Sequence, residues 1–305
     1  MASPQTPSKM SAPIDMARVR QLFADPARIA ASDFLRREIA ARMFDRLSLV
    51  KTAPQRVLDA GCGSGPDLAQ LQKQYPAAQV LGLDAVPAML AASAGTQSPR
   101  SFLSRLLPAK AGIDLVAGDF GQLPLGPNSV DLVWSNLALH WHSQPDRVFQ
   151  EWRRVLRVDG LLMFSNFGPD TFIELRAAFA AMDETPHTLP FVDMHDFGDQ
   201  LVEAGFTTPV MDMEKITVTY DTAEALLADV RAFGGNPLAT RQRGLVGRAG
   251  WQRMRDALEA GRRSDGKLGL TFEVIYGHAF RPASKTTAAG EAIVRFQPQN
   301  RPPKA

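Results

Sequence analysis

The chain has 305 residues, of which 45% are hydrophobic and 22% charged, a balance typical of an ordinary globular protein. It is long enough for one large domain or two small ones. The formal net charge of +2 is too small to indicate binding to nucleic acid or to a membrane surface by itself. The single cysteine, Cys62, excludes an intrachain disulfide and a cysteine-rich zinc site, and it fits a reducing compartment.

The sequence predicts a cytoplasmic protein without a bound metal. No run approaches the roughly 18 apolar residues of a membrane span, and the N-terminal residues lack the apolar core of a signal peptide. The five histidines follow no spacing that favours a metal site. We expect residues 1–15 and 298–305 to be disordered, and we expect a monomer that binds neither nucleic acid nor a membrane.

Apolar residues at helical spacing predict helices across residues 16–50, which Pro26 divides into a short helix and a longer one. From residue 56 onward, short apolar runs typical of buried strands alternate with helical segments. Strands are predicted at 56–59, 80–84, 113–117, 129–134 and 160–165. Helices are predicted from residue 68 to before Pro76, at 87–94 and at 145–156. This alternation is typical of parallel crossover units in a doubly wound α/β sheet.

Beyond residue 167 the order of elements changes. Helices are predicted at 170–182 and 196–204, and a strand follows at 209–220. Residues 222–263 have a helical pattern with a break at 234–237, and we interpret them as a helical lid. A last strand is predicted at 268–280. We therefore expect one domain over residues 16–297, with a mostly parallel seven-stranded sheet closed by an antiparallel strand.

A glycine-rich turn follows the first predicted strand. Gly61, Gly63 and Gly65 stand where a buried strand must turn sharply into a helix, and glycines there let backbone N–H groups approach a ligand. The spacing lacks the third glycine position of the dinucleotide fingerprint. Asp59, two residues before the first glycine, suits a cationic ligand such as a sulfonium or an amino group better than a pyrophosphate.

Acidic residues end the next two predicted strands. Asp84 closes the second strand, 19 residues after Gly65, where a carboxylate accepts hydrogen bonds from a ribose diol. Asp119 and Phe120 follow the third strand, where they can contact an adenine amino group and ring. Because the carboxyl ends of parallel strands meet at one edge of the sheet, we expect these side chains to converge on one crevice.

Over residues 56–168, this set of residues resembles the class I methyltransferases. The resemblance implies S-adenosylmethionine as the cofactor, with its methionine along the 61–65 turn. It also implies that Asp84, with the adjoining Ala85, contacts the ribose and that Asp119 and Phe120 contact the adenine. Asn136, after the fourth strand, matches a position near the transferred methyl group. A dinucleotide-dependent oxidoreductase on a similar sheet is a further hypothesis, which the glycine spacing disfavours.

A second resemblance covers residues 20–296. The segments 133–141, 166–176, 193–199 and 270–280 are similar to the malonyl-acyl-carrier-protein O-methyltransferases of biotin synthesis. That resemblance implies methyl transfer to the free carboxylate of malonyl-acyl-carrier protein. It also implies an acidic carrier protein as partner, steered by arginines of the N-terminal helices or of the predicted lid.

An alternative family shares the cofactor fold. Members of the biotin-pathway family usually carry a tyrosine near residues 31–34 and commonly a glutamine where this chain has His140. In both features the chain is similar to assembly factors of respiratory complex I, which hydroxylate an arginine of a partner subunit. We select His140 and Trp141 as positioning residues at the active site. The candidates for binding an acceptor carboxylate are His140, His142, Tyr220, Arg231 and His278.

Overall fold

The computed structural model describes residues 12–96, 112–242, 244 and 246–283. The predicted disorder of residues 1–11 and 298–305 lies outside these ranges. Residues 12–15, which the sequence placed in the disordered end, instead make contacts. Ile14 pairs with Leu238 in a short antiparallel bridge, and Asp15 caps the first helix through the N–H of Arg18.

Seven strands form one sheet in the order β3-β2-β1-β4-β5-β7-β6. Strand β7 runs antiparallel to both β5 and β6, and the pairs among β1 to β5 are parallel, which confirms the predicted architecture. The strands are β1 Arg56–Ala60, β2 Gln79–Asp84, β3 Gly112–Ala117, β4 Val130–Asn136, β5 Leu156–Phe167, β6 Thr207–Tyr220 and β7 Leu268–Phe280.

Helices cover both faces of this sheet. They are α1 Met16–Leu22, α2 Pro26–Ala30, α3 Asp33–Ser48, α4 Leu68–Gln74, α5 Pro87–Thr96, α6 Pro145–Val155, α7 Ile173–Ala180, α8 Met194–Glu203, α9 Ala223–Ala232 and α10 Arg248–Ala260. The longer N-terminal helix expected from the sequence is therefore two helices, α2 and α3. Helix α2 begins at Pro26 under the cap of Asp25, and the buried Ser32 interrupts the run before α3.

The sheet is buried on both faces, because its central strands carry apolar residues at consecutive positions rather than only at alternate ones. On β1, Val57 belongs to the core beneath α3 and α4, whereas Leu58 belongs to the core beneath α6 and α8. The strand order reverses between β1 and β4, and the carboxyl ends of these strands therefore border a crevice.

The N-terminal segment crosses this crevice and is attached to the loop between α9 and α10. The Asp15 N–H donates to the Pro237 carbonyl over 2.9 Å, and the Ala239 N–H donates to the Pro13 carbonyl over 2.7 Å. Arg241 adds an ion pair with Asp15 at 3.6 Å. Helices α1 and α2 are consequently held above the carboxyl ends of the strands.

Phe272 on β7 packs the sheet against residues 222–263, which are called here the lid segment. Its ring is fully buried against Phe167, Phe172 and Phe233. We expect Phe272→Ala to lower the free energy of unfolding by about 3–5 kcal/mol in urea denaturation, because it leaves a cavity. Leu49→Ala, at a side chain that is 82% exposed, is the control and should change it by less than about 0.5 kcal/mol. Equal effects of the two changes would contradict this packing.

Candidate active site

The glycine turn after β1 has left-handed backbone at each glycine, and two of the three glycines are tightly packed. A Cβ on Gly61 would lie 2.5 Å from the Cβ of Ala138, and a Cβ on Gly65 would lie 2.2 Å from the hydroxyl of Ser93. Gly63, with φ of +55°, faces open space. Gly65 therefore serves the contact with α5, whereas Gly61 and Gly63 border the crevice.

The crevice contains a narrow cavity of about 140 Å³, which we call the acidic cavity. It lies between the carboxyl ends of the strands and helices α1 to α3. The side chains of Asp33, Asp84 and Asp119 line it, together with Arg20 and Arg36. The cofactor residues predicted from the sequence that reach its wall are Gly61, Gly63, Asp84, Ala85, Asp119, Phe120 and Asn136.

Asp84 is fixed at the end of β2 by two backbone N–H groups. Its Oδ2 accepts from Gly63 over 2.9 Å, and its Oδ1 accepts from Val86 over 2.8 Å. Burial raises the pKa of this carboxyl. Each carboxylate oxygen retains a second lone pair, so Asp84 can also accept hydrogen bonds from the hydroxyl groups of a ligand in the cavity.

The opposite end of the acidic cavity is aromatic. Asp119 Oδ1 accepts from the Gly121 N–H over 2.8 Å and lies 3.6 Å from His142 Nε2. Because His142 Nδ1 accepts from the Gln144 N–H, its proton is on Nε2 and is directed to Asp119. The Phe120 ring lies 5.5 Å from the His142 ring and lines the cavity, where it can border a flat, apolar ligand group.

Three charged groups lie beneath the glycine turn. Asp59 is only 2% exposed, and its Oδ2 is buried without a hydrogen-bond partner among the described residues. Asp67 accepts from Trp134 Nε1 and Asn136 Nδ2, each over 3.1 Å, and lies 4.0 Å from Arg36. Burial, with a smaller contribution from Asp67, raises the pKa of Asp59.

The Arg36 guanidinium binds Asp33 more closely, over 2.6 Å, and therefore compensates Asp59 and Asp67 only in part; a cationic ligand group nearby would favour the ionised form of Asp59. Asp59 does not reach the cavity wall, in contrast to its predicted role as a contact. The sequence reasoning missed Arg36 and Asp67. Asp67 could have been suspected as an acid immediately after the glycine turn, but nothing in the sequence indicated that Arg36 of α3 would reach it.

Asn136 lines the acidic cavity, but its side-chain amide is already engaged. Its Nδ2 donates to Asp67 and to the Arg36 carbonyl, and its Oδ1 accepts from the Ser165 hydroxyl over 2.8 Å. The next residue, Leu137, has left-handed backbone with φ of +51°. Asn136 therefore fixes the wall where β4 ends and joins it to α3.

A second cavity, of about 550 Å³, lies beside the first and is called here the arginine-lined cavity. Its walls come from β5, the N-terminal helices, the 183–191 segment and the lid segment. Aromatic and aliphatic side chains form most of its lining. Its charged lining residues are all arginines, and no Asp or Glu among the described residues lines it; the arginines are Arg18, Arg28, Arg231 and Arg241.

Trp141 separates the two cavities, because its side chain lines both. The Phe23 ring meets its indole edge-on, with 5.1 Å between ring centroids. A Cβ on Gly234 would lie 2.5 Å from the indole Cη2 atom, so only glycine allows this approach. Phe23, which follows α1, and Gly234, which follows α9, thus both pack closely against Trp141.

His140 lines the arginine-lined cavity and is neutral. Burial lowers the pKa of its imidazole to about 4, and its Nδ1 lies 2.6 Å from the side-chain oxygen of the buried Asn166. An amide oxygen only accepts, so the proton is on Nδ1 and Nε2 is left as an acceptor. The imidazole consequently lacks the donor or positive charge that binding an acceptor carboxylate through Nε2 would require.

The other residues predicted to bind an acceptor carboxylate lie in different parts of the structure. Arg231 lines the arginine-lined cavity, whereas His142 lies behind Asp119 and lines neither of the two cavities. Tyr220 and His278 line neither cavity.

Across the described residues, no cluster of His, Cys, Asp and Glu could hold a metal ion. Over the same ranges, no helix is both long and apolar enough to cross a membrane.

Solved structures share this fold. The YcgJ protein of Bacillus subtilis superposes with a TM-score of 0.55 at 15% identity, covering 79% of this chain and 98% of that protein. A putative methyltransferase of Bacillus halodurans gives a TM-score of 0.54 at 17% identity, with 80% and 99% covered. Residues 58–164 match the family model for the methyltransferase domain. The fold and this match agree with the class of methyltransferases that use S-adenosylmethionine, and the sequence relatives place the chain in that class.

Relatives with a higher sequence identity show which family of methyltransferases the chain belongs to. The malonyl-[acyl-carrier protein] O-methyltransferase of Laribacter hongkongensis is 50% identical over 289 residues, which cover 93% of this chain and 96% of the relative. The protein of the same name from Gallionella capsiferriformans is 46% identical over 284 residues, covering 92% and 96%. The chain therefore belongs to the malonyl-[acyl-carrier protein] O-methyltransferase family.

We expect Asp84→Ala to weaken S-adenosylmethionine binding by about 10- to 100-fold in isothermal titration calorimetry, because hydrogen bonds to a charged carboxylate are lost. Asp45→Asn is the matched control, since Asp45 is exposed on α3 and lines neither cavity. Unchanged affinity in Asp84→Ala would exclude the ribose contact at this position.

Because His140 is neutral in the folded chain, we expect the stability of the protein to depend on pH. In the unfolded chain its pKa is near 6.5, and in the folded chain about 4. Between these values only the unfolded state binds the proton, so the free energy of unfolding falls as pH falls through this window. We expect the loss between about pH 7 and about pH 5 to be smaller in His140→Gln, measured by urea denaturation. Identical losses would show that the imidazole titrates normally.

Proposed function

We propose that this chain transfers the methyl group of S-adenosylmethionine to the free carboxylate of malonyl-acyl-carrier protein, as a step of biotin synthesis. Two relatives of 50% and 46% identity that cover nearly the whole chain carry the name of that activity. The observation that carries the proposal is the arginine-lined cavity, because its charged lining residues are arginines, two of which, Arg18 and Arg231, have no carboxylate partner among the described residues.

The proposal assigns the acidic cavity to the cofactor. Asp84 would hold the ribose hydroxyl groups, and Phe120 and Asp119 would hold the adenine. The buried Asp59 suits the positively charged methionine end, because a cation beside it would favour the ionised form that burial opposes. Bound there, S-adenosylmethionine supplies an electrophilic methyl group.

The chain needs no general base for this reaction. A carboxyl group with a pKa of about 4 is already ionised at neutral pH, so the acceptor oxygen is ready to react. The protein's contribution is then to align the acceptor and to exclude water. Trp141 is placed for both tasks, because it borders both cavities and is held by Phe23 and Gly234.

An acidic carrier protein would dock at the mouth of the arginine-lined cavity. Arg231 is exposed on α9, and Arg18 and Arg28 belong to the N-terminal helices that roof the same cavity. A basic rim steers an acidic partner by long-range attraction, which salt weakens.

We also propose that the protein acts in the cytoplasm as a monomer and that residues 222–263 form a lid.

The hydroxylation of a partner's arginine is disfavoured on electrostatic grounds. A substrate guanidinium would have to enter a cavity whose charged lining residues are Arg18, Arg28, Arg231 and Arg241. Like charges at close range oppose such binding. The names of the relatives likewise favour the malonyl carboxylate over an arginine acceptor.

The proposal predicts that the gene restores growth of a biotin auxotroph that lacks its own malonyl-carrier-protein methyltransferase. Asp45→Asn should restore growth as well, whereas Asp84→Ala should fail because it cannot hold the cofactor. Immunoblots would establish equal expression of all three proteins. Failure of the unaltered, well-expressed protein to restore growth would refute the proposed acceptor.

A further inference from the structure

Two of the four arginines that line the arginine-lined cavity are occupied with the protein's own groups. The Arg28 guanidinium donates to the carbonyls of Leu22 and Arg231. Arg241 donates to the Leu238 carbonyl over 2.8 Å and forms its ion pair with Asp15. Both hold the N-terminal helices against the lid segment, and the other two arginines are left for a ligand.

Arg18 combines burial with a free donor. Its Nε is buried and has no hydrogen-bond partner among the described residues. Its Nη1 donates to Gln21 over 3.3 Å, on the other side of the guanidinium. A buried N–H without a partner costs free energy, and a rotation of the guanidinium toward the cavity would let an anionic ligand pair with it. Arg231, in contrast, is exposed at the rim.

Helix α1 is a shared wall of the two cavities. Arg18 and Leu22 line the arginine-lined cavity, whereas Met16, Val19 and Arg20 line the acidic cavity. With a rise of about 1.5 Å per residue, these positions lie within two helical turns of one another. A group held by Arg18 is therefore close to the cofactor without sharing its cavity.

We propose that Arg18 binds the acceptor carboxylate and thereby selects a malonyl thioester over a neutral acyl thioester, an inference that rests on the proposed function. The Nε–H and an Nη–H on the same edge of a guanidinium match the two oxygens of a carboxylate. This contact orients the acceptor beside Trp141, and Arg231 contributes attraction at the rim. Arg18 is thus a specificity-determining residue that His140, being neutral, cannot replace.

The test compares two forms of carrier protein, malonyl and acetyl, which differ in the carboxylate. Calorimetry on the full chain with bound S-adenosylhomocysteine should show the unaltered protein binding the malonyl form about 10- to 100-fold more tightly than the acetyl form. Arg18→Gln should bind both forms with equal affinity, close to that of the acetyl form. Arg18→Lys should recover part of the preference, because it restores the charge without the bidentate edge.

Arg157→Gln is the control, since Arg157 pairs with Asp131 on β4 and lines neither cavity. It should keep the full preference, and all variants should bind S-adenosylmethionine as the unaltered protein does. A preference that persists in Arg18→Gln would overturn the assignment of Arg18. If the unaltered protein forms no methyl ester on the malonyl form, the proposed function fails instead.

Discussion

The buried carboxylate of Asp67 is the interaction on which the arrangement of the site depends. It joins three elements, accepting hydrogen bonds from Trp134 and Asn136 of β4 and facing Arg36 of α3. Since Asp67 itself follows the glycine turn, one side chain sets the distance between the turn, the end of β4 and the N-terminal helices. Removing Arg36 would leave an uncompensated charge in the interior, which is strongly destabilising.

This arrangement places two cavities of opposite character on either side of Trp141. The acidic cavity suits a cationic cofactor with hydroxyl groups, and the arginine-lined cavity suits an anionic acceptor. Reaction between opposite charges needs alignment and exclusion of water more than acid–base chemistry. The low pKa of His140, the imidazole beside Trp141, agrees with a reaction that needs no general base.

Much of the fold was predictable from the sequence, because buried strands, glycines and strand-ending acids are local signals. Asp84 and Asp119 were found in this way, and both lie at the cavity that the strand order creates. The roles of Arg18 and Arg36 were not predicted, because they depend on helices that pack across the sheet. For His140 the prediction was wrong. Its position after β4 suggested that it binds a carboxylate, but burial keeps its imidazole neutral and Asn166 occupies its only donor.

The most direct test of the account is mass spectrometry of intact carrier protein after incubation with this chain and S-adenosylmethionine. We expect malonyl-carrier protein to gain the mass of one methylene unit and acetyl-carrier protein, which offers no carboxylate, to gain nothing. Mild esterase treatment should then reverse the gain, as expected for a methyl ester. A malonyl form that stays unchanged, with the cofactor shown to bind, would contradict the pairing of an acidic cofactor cavity with an anionic acceptor.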